Sequence, residues 1–146
     1  MPDRHGPYRD CRFLLEVEEV AKAGFSRCRL PTSGSAVIEY REGTDPPTAR
    51  KLVGLNEYGT LMLRYGITND SIGLFEWRTL VEQGKLDTAR RSIAVVLLDE
   101  EGNAGPRWEL KNAWPARYHG PKLDALGEEV AIERLDIVTE GVERTA

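Results

Sequence analysis

Two histidines, two cysteines, three tryptophans and an acidic triplet are the residues of this chain best suited to do chemistry. His5 and His119 lie far apart in sequence, and His119, in "RYHGP", sits beside a turn. There it reads as a surface residue rather than a ligand or a base. Asp99, Glu100 and Glu101 could hold a cation, but they lack the alternating ligand spacing of a calcium loop and read as a solvated turn. Cys11 and Cys28 could form a disulfide; in a reducing compartment two small buried thiols are expected instead. Trp77, Trp108 and Trp114 could stack on a ligand, although core packing is the default for large aromatic rings. The sequence contains no GxxxxGKS/T, no GxGxxG after a strand, no HExxH and no CxxC, and nothing marks a nucleophile turn. Catalytic, cofactor and metal roles therefore fall to no residue, and the chain is expected not to be an enzyme.

The bulk properties narrow the class. A chain of 146 residues is near the commonest domain size, so one domain over residues 1–146 is expected. Twenty Lys and Arg against 24 Asp and Glu leave a formal charge of −4, which disfavours nucleic acid as the main partner. No apolar run is long enough to span a bilayer, and the start, "MPDRHGPYRDCR", lacks the apolar stretch of a signal peptide. Synthesis and assembly in the cytoplasm, without direct membrane insertion, are expected.

The elements that must position these residues are mostly strands. "FLLEVEEV" (13–20), "AGFSRCRL" (23–30), "AVIEYRE" (36–42) and "YGTLMLRYGI" (58–67) carry β-branched, aromatic or alternating patterns. "SIAVVLLD" (92–99) is almost continuously apolar and predicts a strand buried on both faces. "EEGNAGP" supplies a turn, and Pro106 opens the strand "RWELKNAW". The last pattern, "EVAIERLDIVTEG", is long, and its apolar phase shifts between Ile132 and Leu135 as in a bulged or bent strand. One segment differs. In "TNDSIGLFEWRTLVEQGKL", Leu74, Trp77 and Val81 share a helical face, with Leu80 beside them. Asn69, Asp70 and Ser71 are suitable caps and Gly84 a suitable stop, predicting one helix of about three turns. Glu76, Arg78 and Glu82 would then face outward, while Leu74, Trp77, Val81, Trp108 and Trp114 form the expected core. The fold class is mainly β: an antiparallel barrel or sandwich with one flanking helix.

Between the strands ending near Glu42 and starting near Tyr58 lies a polar connection, Gly43 to Asn56, far longer than a hairpin requires. Strand edges recruit other chains through unpaired N–H and C=O groups. A head-to-tail contact that closes makes a ring, and one that does not makes a filament. Reaching out to touch another copy is one task that would justify such a loop.

The pieces "VIEYREGTDP", "RKLVGLNEYG", "LMLRYGIT", "FEWR", "GKLDTARRSIAVVLLDEEG" and "RWELKNAWPARYHGPKLDALGEEVAIERLDIVTEG" together resemble the T4-type phage tail tube protein family, in order from Tyr8 to about Arg144. Val53 stands where members often have Pro, Glu128 where Asn is common, and "RLPTSGS" where the second strand more often ends in Ser-Gly-Leu; all three are read as loops or strand starts. The resemblance implies hexameric rings that stack into the hollow inner tube of a contractile tail or contractile injection system, as the repeating unit or a baseplate-proximal ring. It implies sheath, baseplate and paralogous tube proteins as partners, and cargo or DNA in the lumen. The Gly43–Asn56 loop would then project to the adjacent ring, with Arg41, Glu42, Asp45, Arg50, Lys51 and Asn56 as inter-ring contacts and Pro46 and Pro47 as stiffeners. Arg50 and Lys51 would meet the Asp99–Glu101 turn or the Glu128–Glu129 strand start. The helix face of Glu76, Arg78 and Glu82 would meet sheath or baseplate. A secreted ring or carrier of the type VI kind, and a monomeric ligand-binding barrel, are the alternatives.

Overall fold

The computed structural model describes residues 8, 12–18, 25–44 and 46–145. His5, Cys11 and Asp45 lie outside the described residues. The described strands are β1 (Phe13–Val17), β2 (Phe25–Arg29), β3 (Ser33–Tyr40), β4 (Arg50–Tyr58), β5 (Leu61–Gly66), β6 (Arg91–Leu98), β7 (Ala104–His119), β8 (Ile132–Val138) and β9 (Gly141–Arg144). Helix α1 (Ile72–Glu82) and the single turn α2 (Leu86–Ala89) lie between β5 and β6.

Strand β7 organises the architecture. Sixteen residues would run straight for roughly 50 Å, too far for one small core to cover. The strand therefore bends, at Asn112, whose φ of 50° is a left-handed conformation that Asn tolerates better than most residues. Its partner bends at the same place. β8 pairs with the second half of β7 and β9 with the first, and the two are split by Thr139 and Glu140. Thr139 Oγ1 and the Glu140 N–H both donate to the Lys111 carbonyl, at 2.7 and 3.1 Å, so the break is hydrogen-bonded rather than open.

The sheet runs β1–β6–β7–β8–β5–β2, all antiparallel, with β9 also on β7. The ends β1 and β2 do not pair with each other, so the described strands make a sheet folded over at β7, a sandwich rather than a closed barrel. Leu15, Val17, Ile93, Val95 and Leu110 from one half meet Leu61, Leu63, Leu135 and Ile137 from the other in a shared core. β6 has the expected burial on both faces, since Ile93 to Val96 are all buried.

Helix α1 closes the core from one side. Leu74 and Trp77 are buried, and Leu80 and Val81 pack against the core from its margin. Trp77 Nε1 donates to the Ala89 carbonyl, which ties α1 to α2. The C-terminus ends on Gly84 at φ 77°, with the Lys85 N–H bonded to Leu80 O and the Gly84 N–H to Val81 O. That is the paired pattern glycine permits at a helix end. The N-terminus differs in detail from expectation. Asn69–Ser71 form a 3-10 turn, and Ser71 Oγ turns back to Thr68 O rather than capping a helix N–H.

Several expectations need correction. The Gly43–Asn56 loop is not a loop: its residues from Arg50 onward belong to β4, which pairs with β3 as a separate two-stranded ribbon. Val53 is therefore mid-strand. The phase shift at Ile132–Leu135 is not a bulge in β8, whose register with β5 is unbroken. It arises because Glu133 occupies an inward position, and the bend lies at Thr139–Glu140. Glu128 and Glu129 sit in the connection before β8, not at a strand start. Trp108 and Trp114 are only partly buried. Trp108 faces inward between Pro106 and Leu110 near the start of β7, under the Arg144 guanidinium at 5.7 Å, and Trp114 falls between the buried Ala113 and Pro115, on the opposite face. Cys28 carries a free thiol packed against the core, and burial raises its pKa to about 12. Among the described residues, no helix is long and apolar enough to cross a membrane.

Replacing Trp77 with Ala should cost about 3–5 kcal/mol, as deletion of a large buried aromatic does. Denaturant titration reads this directly; an unchanged midpoint would show that α1 presents another face to the core.

Candidate assembly interface

The β3–β4 ribbon is the part of the molecule least explained by its own fold. Register pairs Val37 with Val53, Ile38 with Leu52, Glu39 with Lys51 and Tyr40 with Arg50. Alternation puts Val37, Glu39, Lys51 and Val53 on one face, and Ile38, Tyr40, Arg50 and Leu52 on the other. Neither face is covered. Val37 is 64 % exposed, Val53 78 % and Leu55 81 %, and β3 and β4 pack extensively only on each other. Two-stranded hairpins are marginal in water without a surface to pack on.

The ribbon is nevertheless built with care. A Cβ at Gly54 would meet Ala36 Cβ and O at 3.0 Å, at the bulge between Ser35 and Val37, so a side chain there would need the two strands to ease apart slightly. At the base, the Gly59 N–H donates to Thr32 O at 2.7 Å, and Ser35 Oγ donates to Asn56 Oδ1 at 2.7 Å. At the tip, Tyr40 donates to Glu42 and Arg41 Nε donates to Pro46 O at 3.0 Å. The expected contact set is thus split. Arg41, Glu42, Arg50 and Lys51 cluster at the tip, whereas Asn56 lies about 20 Å away along the strand, near the base.

A second exposed apolar segment lies in the connection from β7 to β8. Leu123 is 78 % exposed, Leu126 93 % and Val130 73 %. Asp124 orders it locally, its side chain accepting the Leu126 N–H and its carbonyl the Gly127 N–H.

On α1, Glu76 and Glu82 are exposed as expected. Arg78 is not free to reach outward: its guanidinium donates to Pro115 O at 3.2 Å and lies 3.6 Å from Glu82. Phe75 stacks edge-on against Tyr118 at 5.0 Å, so this helix is fastened to β7 at two points. The Asp99–Glu101 triplet is a turn, in which the Asp99 carboxylate accepts the Glu101 and Asn103 N–H groups.

Polar chemistry on the two sides of β8 is structural in form. On the inner side, buried Glu133 accepts a hydrogen bond from Tyr118, and burial together with that bond and the Glu133 charge raises the Tyr118 pKa to about 12. Tyr65, directly opposite Glu133 on β5, is raised further, first by burial and then by Glu133 and Tyr118. On the outer side, Asp136 receives Arg134 Nε at 2.8 Å and sits 3.0 Å from His119 Nε2. His119 is thus half-buried and engaged, not a bystander beside a turn. Burial works to raise the Asp136 pKa, but the bonds and charges of Arg134 and His119 outweigh it and hold the carboxyl below its usual value. Sequence reading missed Asp136 because His119 becomes its neighbour only when β7 pairs with β8, although Arg134 lies two residues away on the same strand face.

The Asp136 contacts carry a pH signature. The unfolded carboxyl, near 3.9, binds a proton more readily than the folded one. Its stabilisation is present above that pH and is lost as pH falls toward the lower folded value. Asp136→Asn should flatten this part of the acid limb and cost roughly 1–3 kcal/mol at neutral pH. Denaturant titrations of parent and variant at neutral and acid pH test it; matching acid limbs would count against the assignment.

A family model described as T4-like virus tail tube protein gp19 matches residues 9–143. No curated protein sequence matches the chain. Among solved structures, a chain of an extracellular contractile injection system, the PVC sheath-tube complex in its extended state, aligns with TM-score 0.84 at 23 % identity, covering 98 % of this chain and 94 % of that one. A chain of the anti-feeding prophage baseplate aligns with TM-score 0.80 at 22 % identity, covering 96 % of each. Hcp1 from Salmonella typhimurium aligns with TM-score 0.60 at 14 % identity, covering 90 % of this chain and 83 % of that one. The fold is shared with all three.

Proposed function

The chain belongs to the T4-like virus tail tube protein family, and from that premise we propose that it is a structural subunit of the inner tube of a contractile tail or contractile injection system. Six copies close a ring, and rings stack into a hollow tube that delivers cargo or DNA. The subunit acts as one tail-tube domain, without catalysis or cofactor, in a phage tail or phage-tail-like particle assembled in the cytoplasm. Sheath, baseplate and paralogous tube proteins are its partners, and it serves as the repeating unit or as a ring next to the baseplate.

The observation that carries this reading is the ribbon exposed on both faces. Covering Val37, Ile38, Leu52, Val53 and Leu55 with a neighbouring subunit would recover about 1.5–3 kcal/mol for each side chain fully buried. The apolar segment with Leu123, Leu126 and Val130 is the complementary surface of matching character. The tip residues Arg41, Glu42, Arg50 and Lys51, with Asp45, set the contact to the next ring; Asn56 leaves that set because of its place at the base. Glu76 and Glu82 remain the helix residues available to sheath or baseplate. Individual exposed ion pairs are worth roughly 0–1 kcal/mol, so register between rings depends on their repetition around the ring and weakens with salt. The Hcp1 likeness supports a second reading, a ring protein of the type VI kind without a phage-like sheath; genes for sheath and baseplate beside this one would separate the two.

Native mass spectrometry and negative-stain images of three proteins test the proposal. The parent should give hexamers and stacks. Arg50→Glu with Lys51→Glu should leave single rings, while Val53→Ser with Leu55→Ser should leave folded monomers. A parent that stays monomeric at all concentrations, or a charge-reversed variant that still forms long tubes, would overturn it.

A further inference from the structure

The outer face of the sheet half made by β2, β5, β8 and the end of β7 carries an arrangement that stability alone does not favour. Register aligns Arg27 with Arg64 and Arg64 with Arg134, side by side across three strands, with His119 completing the row. Two residues along, the next row reads Arg29, Met62, Asp136 and Arg117. Like charges directly opposite one another on adjacent strands are destabilising. Asp136, the acid within these rows, is already occupied by Arg134 and His119. The opposite half of the sheet is arranged differently: there Arg107 is paired with both Glu16 and Glu109, and Lys111 with Glu143. The basic face is also hollowed. A groove of about 550 Å³ runs between Arg29, Met62, Arg117 and Arg134.

We propose that this groove and its arginine rows bind a carboxylate-rich polypeptide segment. The inference rests on the tube reading in one respect, that cargo travelling past this face in an assembled ring is such a protein. Guanidinium groups recognise carboxylates in a bidentate manner and remain charged at any working pH. An extended peptide presents every second side chain on one face, about 6.6–6.8 Å apart, which is the spacing between the two rows. Nucleic acid fits less well. Single strands are held by aromatic rings on which bases stack, and no residue lining the groove is aromatic; Trp114 pairs with Val138 at the groove's margin.

Fluorescence anisotropy with labelled poly-glutamate, beside labelled oligothymidylate of matched charge, tests this on the full chain. Poly-glutamate should bind more tightly than oligothymidylate. Arg27→Gln with Arg64→Gln should weaken it by about ten-fold or more, the equivalent of losing charge-assisted hydrogen bonds. Glu109→Gln, on the other half of the sheet, should leave it unchanged. Should the double variant fail to fold, the exposed pair Arg29→Gln with Arg117→Gln gives the same readout. No binding of poly-glutamate, equal binding by a folded arginine variant, or a preference for oligothymidylate would each overturn the proposal. Native mass spectrometry on the same samples keeps the two ideas apart. Rings that ignore poly-glutamate would sink this inference alone, and monomers that bind it in an arginine-dependent way would sink the tube reading alone.

Discussion

A two-stranded ribbon with both faces in water cannot hold itself in place, and much of this structure follows from that constraint. A third strand or a packed helix is the usual remedy. Here β3 and β4 have neither, and their apolar pairs, Val37 with Val53 and Ile38 with Leu52, point to opposite sides. One covering surface could shield only one of them. The ribbon therefore suits insertion between two surfaces better than capping by one. Its own construction agrees. Gly54 lets the strands approach at the bulge, Gly59 closes the base against Thr32, and the tip is tied by Arg41 to the Pro46 carbonyl. These features preserve shape and supply no burial.

The body beneath is stable on different terms. β7 bends at Asn112, so that one continuous strand serves both halves of the sheet, and helix α1 fills the remaining opening with Trp77 and Leu74. Its polar residues divide by side. Tyr118 and Glu133 satisfy each other within, while Arg134, Asp136 and His119 form a cluster without. Buried charge of this kind costs more than it returns unless its hydrogen bonds are made. That requirement accounts for Glu133 accepting from the Tyr118 hydroxyl and for Asp136 being held by both Arg134 and His119.

Much of the body was legible in the sequence. Helix α1 announced itself through Leu74, Trp77 and Val81 and through the Gly84 stop, because a single buried face imposes its period on the residues. β6 was legible as an unbroken apolar run. β4 was not, and the reason is physical: a strand with no buried face has no alternation to display, and "RKLVGLNEY" opens on charges and contains glycine. The inward Glu133 misled for the opposite reason. It broke a real alternation with a residue whose partner, Tyr118, lies fifteen positions away in sequence and becomes a neighbour only when β7 pairs with β8. The arginine rows were illegible for the same cause, since Arg27, Arg64 and Arg134 align only through sheet register.

Hydrogen exchange of the backbone amides, followed in dilute monomer and in assembled protein, tests the central claim most directly. If another copy supplies the surface the ribbon lacks, amides of 33–40 and 50–58 exchange rapidly in the monomer and become protected on assembly. Those of β5 and β8, already in the core sheet, are protected in both. Ribbon amides as protected in the monomer as those of β5 would contradict the account, because the hairpin would then be holding itself.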